Sequence, residues 1–98
     1  MSTCEELLRE CESIARDARN VRAVKQWLEE CPAETEFVCD ACREYLYGRV
    51  YVAVGGPSIF IDTRTESVEG RWGADRVSVP CDTDILDKEL RALWSNCF

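Results

Sequence analysis

From Thr3 to about Arg19 the apolar residues recur every three or four positions. Leu7, Leu8, Cys11, Ile14, Ala15 and Ala18 form one stripe, with Glu5, Glu6, Arg9, Glu12 and Arg16 off it. That period predicts an amphipathic helix. Ser2 or Thr3 can cap it, and Glu5 and Glu6 suit the positive end of its dipole. Asn20 marks a break. A second helical stripe follows with Val21, Val24, Trp27, Leu28 and Cys31, and Pro32 closes it. Between Glu36 and Leu46, Phe37, Val38, Ala41, Cys42 and Tyr45 again recur at helical spacing, so a third helix is expected there, with a turn-rich segment as the alternative.

At Gly48 the period drops to two. RVYVAV alternates Val50, Val52 and Val54 against Arg49, Tyr51 and Ala53, and SIFIDT, VEGRW and RVSV read the same way. Alternation is the mark of strands. The spacers GGP, RTES and GAD hold turn chemistry: Gly for positive φ, Pro for a fixed φ, Asp and Ser to bond nearby amides. Four short strands with tight joints make an antiparallel meander. From Asp84 to about Asn96 a last helix is expected, with Ile85, Leu86, Leu90, Leu93 and Trp94 inward and Thr83 or Asp84 as cap. The fold class is therefore α+β: N-terminal helices, a four-stranded antiparallel meander, and a C-terminal helix packed on the sheet. Residues 1–98 form one domain, divided into a helical, cysteine-rich part over 1–46, the sheet over 47–80 and the closing helix over 82–96.

Composition narrows the function classes. With 46% apolar and 32% charged residues the chain reads as a soluble globule, and no apolar run approaches the roughly 20 residues of a membrane span. The opening MSTCEELLREC carries acids where a secretory signal would need basic then apolar residues, so a cytoplasmic setting is expected. Nineteen acids against twelve bases give a net charge of −7, which repels nucleic-acid backbones and attracts basic partners. Histidine is absent, which removes Ser–His and Cys–His nucleophilic pairs and the commonest general base. A non-enzymatic role is the expectation.

The stretch Gly55-Gly56-Pro57-Ser58 does not read as a phosphate cradle. Such a loop needs a helix after its glycines, and here a strand-like IFID follows, while Pro57 lacks an amide hydrogen. A hairpin turn accounts for every residue.

VAVGGPSIFIDTR followed by VEGRWGADR resembles small uncharacterised proteins of phages and mobile elements in gut-type bacteria. These carry a similar GGP–apolar–DTR–VEG–WG–D sheet and an acidic C-terminal helix. Proteins of this size and setting include anti-CRISPR inhibitors, which bind a defence nuclease and block it. The likeness covers about Tyr45 to Trp94 and lies in turn and core residues: Gly55, Gly56, Pro57, Asp62, Thr63, Arg64, Gly70, Trp72, Gly73 and Asp75. It implies a shared fold, and no functional residue is carried over from it. The cysteine-rich N-terminal half lies outside it.

Two constellations remain. CPAETEFVCDAC places Cys31 ahead of the Cys39-x-x-Cys42 step, and Cys81 sits at a strand-to-helix junction. Four thiolates could hold one structural zinc. Packing in the core is the competing account of these thiols, and the preferred one for Cys4, Cys11 and Cys97. The second constellation is acidic: Glu29, Glu30, Glu34, Glu36, Asp40 and Glu44 in one dense region, and Asp62, Glu66, Glu69 and Asp75 from the sheet. These carboxylates could imitate nucleic-acid phosphates and occupy a basic groove, or serve solubility alone.

The leading expectation is a small acidic inhibitor that binds a basic partner, an RNA-guided or other nucleic-acid-binding effector, by charge mimicry or steric occlusion. The alternative is a zinc-stabilised interaction or regulatory module. Arg71 and Trp72 must point to opposite sheet faces, and any of Tyr51, Phe60 or Trp72 left exposed would be a partner anchor.

Overall fold

The computed structural model describes residues 3–30 and 34–97, with side chains for 4–30 and 34–96. Three helices and five strands follow in the order α1 (Thr3–Asp17), α2 (Val21–Glu30), β1 (Thr35–Cys39), β2 (Tyr45–Ala53), β3 (Ser58–Asp62), β4 (Ser67–Trp72), β5 (Asp75–Pro80) and α3 (Asp84–Cys97). The sheet is a fully antiparallel meander, β1-β2-β3-β4-β5. The α+β class holds, and four strands become five.

The extra strand replaces the helix expected between Glu36 and Leu46. Asp40 decides this locally. Its Oδ1 accepts hydrogen bonds from the amides of Cys42 and Glu44, both at 2.9 Å, and its own amide donates to the Glu44 carbonyl at 3.0 Å. Side-chain bonding of that kind offers the backbone an alternative to a helix. Arg43 takes φ 64° to complete the turn. β1 then pairs with β2, and Phe37 packs against Tyr45 and Trp94 at ring separations of 6.5 and 5.6 Å.

Elsewhere the caps and turns match the chain's chemistry. Asn20 Oδ1 accepts from the amides of Arg22 at 2.9 Å and Ala23 at 3.4 Å, capping α2. Asp82 Oδ1 accepts from the Asp84 amide at 3.0 Å, and the Thr83 carbonyl accepts from Asp87 at 2.8 Å, so Thr83 is the half-helical residue at the start of α3. Val54 to Pro57 join β2 to β3 with a cis Gly56–Pro57 bond, and a strand follows the glycines.

All three helices lie on one face of the sheet. α1 crosses β4 and β5, α3 crosses β2, and α2 packs against α3 and β2. Between them and the sheet sit Leu7 and Cys11 of α1, Ala18 just after it, Val24 of α2, Leu86 and Leu90 of α3, and Val50, Ile59, Ile61 and Val68 of the strands, all essentially without exposure. Cys11 lies in this core as expected, whereas Cys4 and Leu8 are exposed. Two glycines let the helices come close. A methyl on Gly70 would stand 2.6 Å from Cys11 Sγ, and one on Gly48 would stand 2.8 Å from Leu90 Cδ1. No described helix is long and apolar enough to cross a membrane.

Candidate binding face

Strand alternation sends every second residue away from the helices. Register makes the result concrete. Glu36, Arg49, Asp62 and Ser67 stand side by side across β1 to β4, and Tyr51, Phe60, Glu69 and Ser78 form the next such row across β2 to β5. Arg71 and Arg76 face each other in the row beyond. Among the described residues no helix packs on this side.

Aromatic and arginine side chains cover its middle. Tyr51 and Phe60 lie 5.1 Å apart, tilted by 36°. The guanidinium of Arg49 stands 5.9 Å from the Phe60 ring centre and that of Arg71 stands 5.8 Å from it. Arg64 stands 5.4 Å from the ring of Tyr47. Each distance is within reach of a cation–π attraction. Both Tyr51 and Phe60 keep part of their surface in water. Trp72, at the end of β4, shares the helix-side parity of Val68 and Gly70, yet is 36% exposed.

Arg49 has a second duty. Its Nε donates to Asp62 Oδ2 at 3.0 Å, while Asp62 Oδ1 accepts the Arg64 amide at 2.8 Å. The Asp62 side chain is only 7% exposed, so it neutralises Arg49 and holds the β3–β4 turn rather than presenting charge.

The remaining acids are divided by the fold. Glu29 and Glu30 end α2, with Glu30 Oε1 accepting from Gln26 Nε2 at 2.9 Å. Glu34 and Glu36 lie at β1, and Asp40 and Glu44 in the turn after it. All six are exposed, and those from Glu34 to Glu44 follow the β1 edge of the sheet. The second set does not come together. Asp62 is buried, Glu66 sits in the β3–β4 turn with φ 52°, Glu69 lies mid-strand, and Asp75 begins β5 at the opposite end from Glu66. Glu69 Oε2 is buried with no hydrogen-bond partner among the described residues.

The cysteines do not converge either. Cys39 and Cys42 are exposed at the β1–β2 turn. Cys81 follows β5, the other edge strand. Four strand spacings of about 4.8 Å separate the two edges, too far for ligands of one ion. Among the described residues no three Cys, Asp or Glu side chains are placed to hold a metal, and Cys31 lies outside those residues. The expected quartet of Cys31, Cys39, Cys42 and Cys81 therefore loses Cys81. That thiol is buried beside Asp82, and burial with the neighbouring acid raises its pKa from 9.0 to about 11. Cys11 rises to about 11 as well, through burial, Glu10 and Glu69.

A concavity of about 450 Å³ lies between the β1–β2 turn and α3, lined by Arg43, Tyr45, Arg91 and Trp94 among others. Its polar groups hold the turn to the helix. Tyr45 Oη donates to Asp87 Oδ1 at 2.7 Å, Arg91 stands 4.8 Å from the Tyr45 ring centre, and Trp94 Nε1 donates to the Arg43 carbonyl at 2.9 Å. Burial and the Asp87 carboxylate push the Tyr45 phenol well above its usual range.

Arg49, Arg71 and Arg76 are the residues of this face that the sequence reading left out of any site. Part of the signal was available, since Arg49 shares the parity of Tyr51 on β2 and Arg71 that of Glu69 on β4, whereas Arg76 joins this face through its register opposite Arg71. The chain matches no protein-family model, no curated protein and no solved structure.

Proposed function

We propose that this protein works by stoichiometric binding to another protein, with the helix-free sheet face as its contact surface. The observation that carries this reading is the half-exposed Tyr51–Phe60 pair bracketed by Arg49 and Arg71 on that face. Aromatic and arginine side chains are enriched where interfaces concentrate their energy, because they offer large, stiff, amphipathic contacts. Single apolar residues on a surface need no explanation, but an ordered cluster in the centre of an uncovered sheet does.

Affinity capture with the wild type and with the Phe60→Ala and Arg71→Gln variants tests it. A partner held through this face is retained by the wild type and lost from both variants. Equal capture by all three places the contact elsewhere.

The exposed acids along β1 support a second reading, the acidic inhibitor expected from the chain's charge and its resemblance to small phage and mobile-element proteins. Glu34, Glu36 and Glu44 give a negative edge that a basic, nucleic-acid-handling effector could engage. The triple variant Glu34→Gln, Glu36→Gln, Glu44→Gln separates the two readings. It should relieve inhibition of an RNA-guided nuclease if the edge acts, and leave partner capture intact if the open face does.

A further inference from the structure

Arg71 and Arg76 stand directly opposite one another on β4 and β5, both exposed on the helix-free face. Directly opposed like charges weaken a sheet. Among the described residues neither arginine has a carboxylate partner. Two residues from Arg71 on the same face, Glu69 holds a buried carboxylate oxygen, also without a partner. These three side chains, with Gly70, Val77 and Ser78, line a concavity of about 180 Å³. Two exposed guanidinium groups at one concavity, neither with a carboxylate among the described residues, complement a ligand that brings one.

Building on the binding reading above, we propose that this concavity receives an acidic residue in an extended segment of a protein partner. Its side-chain carboxylate lies between the Arg71 and Arg76 guanidinium groups, at the concavity that Glu69 also lines. A carboxylate accepts several N–H donors at once, and guanidinium groups match its plane. The Glu69 carboxylate repels the greater negative charge of a phosphate more than that of a single carboxylate. It also adds to the net charge of −7 in opposing a polyanion. Phe60 lies on β3, one i,i+2 step along the sheet from the Arg71 row. An apolar residue two positions from the acid would therefore reach the Tyr51–Phe60 pair, because alternate residues of an extended segment share a face.

The test is an amide-resolved NMR titration of the full chain with the blocked pentapeptide Gly-Glu-Gly-Phe-Gly, its Gln-for-Glu analogue, inorganic phosphate and a ten-residue oligothymidylate. The expected result is displacement of the Arg71, Arg76, Ser78 and Phe60 signals by the acidic peptide. The Gln peptide should bind about tenfold more weakly, since a charge-assisted hydrogen-bonded contact is worth that much or more. Arg71→Gln and Arg76→Gln should each abolish the displacement while the spectrum stays dispersed. Equal binding of the two peptides, no displacement at these residues, or tighter binding of phosphate or the oligonucleotide at the same signals would overturn the proposal. The capture experiment is independent of this one. If no peptide binds but Phe60→Ala still loses the partner, the acidic-segment assignment falls and the binding face stands. If the acidic peptide binds and capture is unchanged in the variants, the assignment stands and the main partner uses another surface.

Discussion

Gly70 lies directly beneath Cys11: a methyl group on its α-carbon would stand 2.6 Å from the sulfur and 2.9 Å from Leu7 Cδ1. α1 can rest on β4 only because that carbon bears hydrogen. In an open strand Gly→Ala would gain roughly 0.5–1 kcal/mol of backbone entropy. Here overpacking wins, at about 1–3 kcal/mol. Gly70→Ala should therefore lower stability in urea melts. Adding Cys11→Ala should restore part of the loss, because the sulfur is removed while Leu7 stays.

Arg49 and Asp62 should behave as a unit. Arg49→Met strands a nearly buried carboxylate, and a buried acceptor deprived of its partner costs about 1–3 kcal/mol. Combining it with Asp62→Asn should cost less than the two single changes summed. Simple additivity in denaturant melts would mean that the 3.0 Å contact contributes no coupling.

Tyr45→Phe removes the hydroxyl that donates to Asp87 and should destabilise by about 1–2 kcal/mol, toward the low end for bonds to charged groups, since Asp87 is partly in water. Trp94→Phe should loosen the β1–β2 turn by freeing the Arg43 carbonyl. Faster amide exchange at Cys42 to Glu44 in Trp94→Phe, with the α1–β4 region unchanged, is the expected pattern.

Arg76→Gln should stabilise the fold while weakening binding. Relief of the opposed Arg71–Arg76 charges is worth about 0.2–1 kcal/mol, a rise in Tm of roughly 1–8 °C at this chain length. A fall in Tm would show that Arg76 has a structural partner.

Alkaline stability follows from the buried thiols. Cys11 and Cys81 have pKa values raised from 9.0 to about 11 in the fold, so the native state holds its protons more tightly than the unfolded chain. Their contribution is complete below pH 9 and is lost as pH rises through about 11. Urea midpoints should be level near neutrality and decline between pH 9 and 11, less steeply in Cys11→Ala. A midpoint that stays flat to pH 11 contradicts the burial of both thiols.

Most elements are legible in the sequence because their signals are local. The stripe of Leu7, Cys11, Ile14 and Ala18, the alternation of Val50 and Val52, and the turns at Gly55 and Gly73 each act within a few residues. β1 was not legible from its own pattern. Phe37, Val38, Ala41, Cys42 and Tyr45 fit a helical period, and the segment becomes a strand because the Asp40 carboxylate accepts the Cys42 and Glu44 amides and β2 supplies a partner. The zinc expectation misplaced Cys81 for a related reason: spacing along the chain does not reveal that β5 ends at the edge opposite β1.

By itself the sequence determined parity and period: which residues share a helix stripe or a strand face, that strands in tight succession pair antiparallel, and that the chain carries excess acid. Tertiary structure alone decided which sheet face the helices cover. Gly48 and Gly70 admit Leu90 and Cys11 on one side, so α3 and α1 both settle there, and the parity that holds Tyr51, Phe60, Arg71 and Arg76 is left to water. Alternation is a property of each strand. The choice between its two faces rests on whether helices distant in sequence can approach closely enough to exclude solvent.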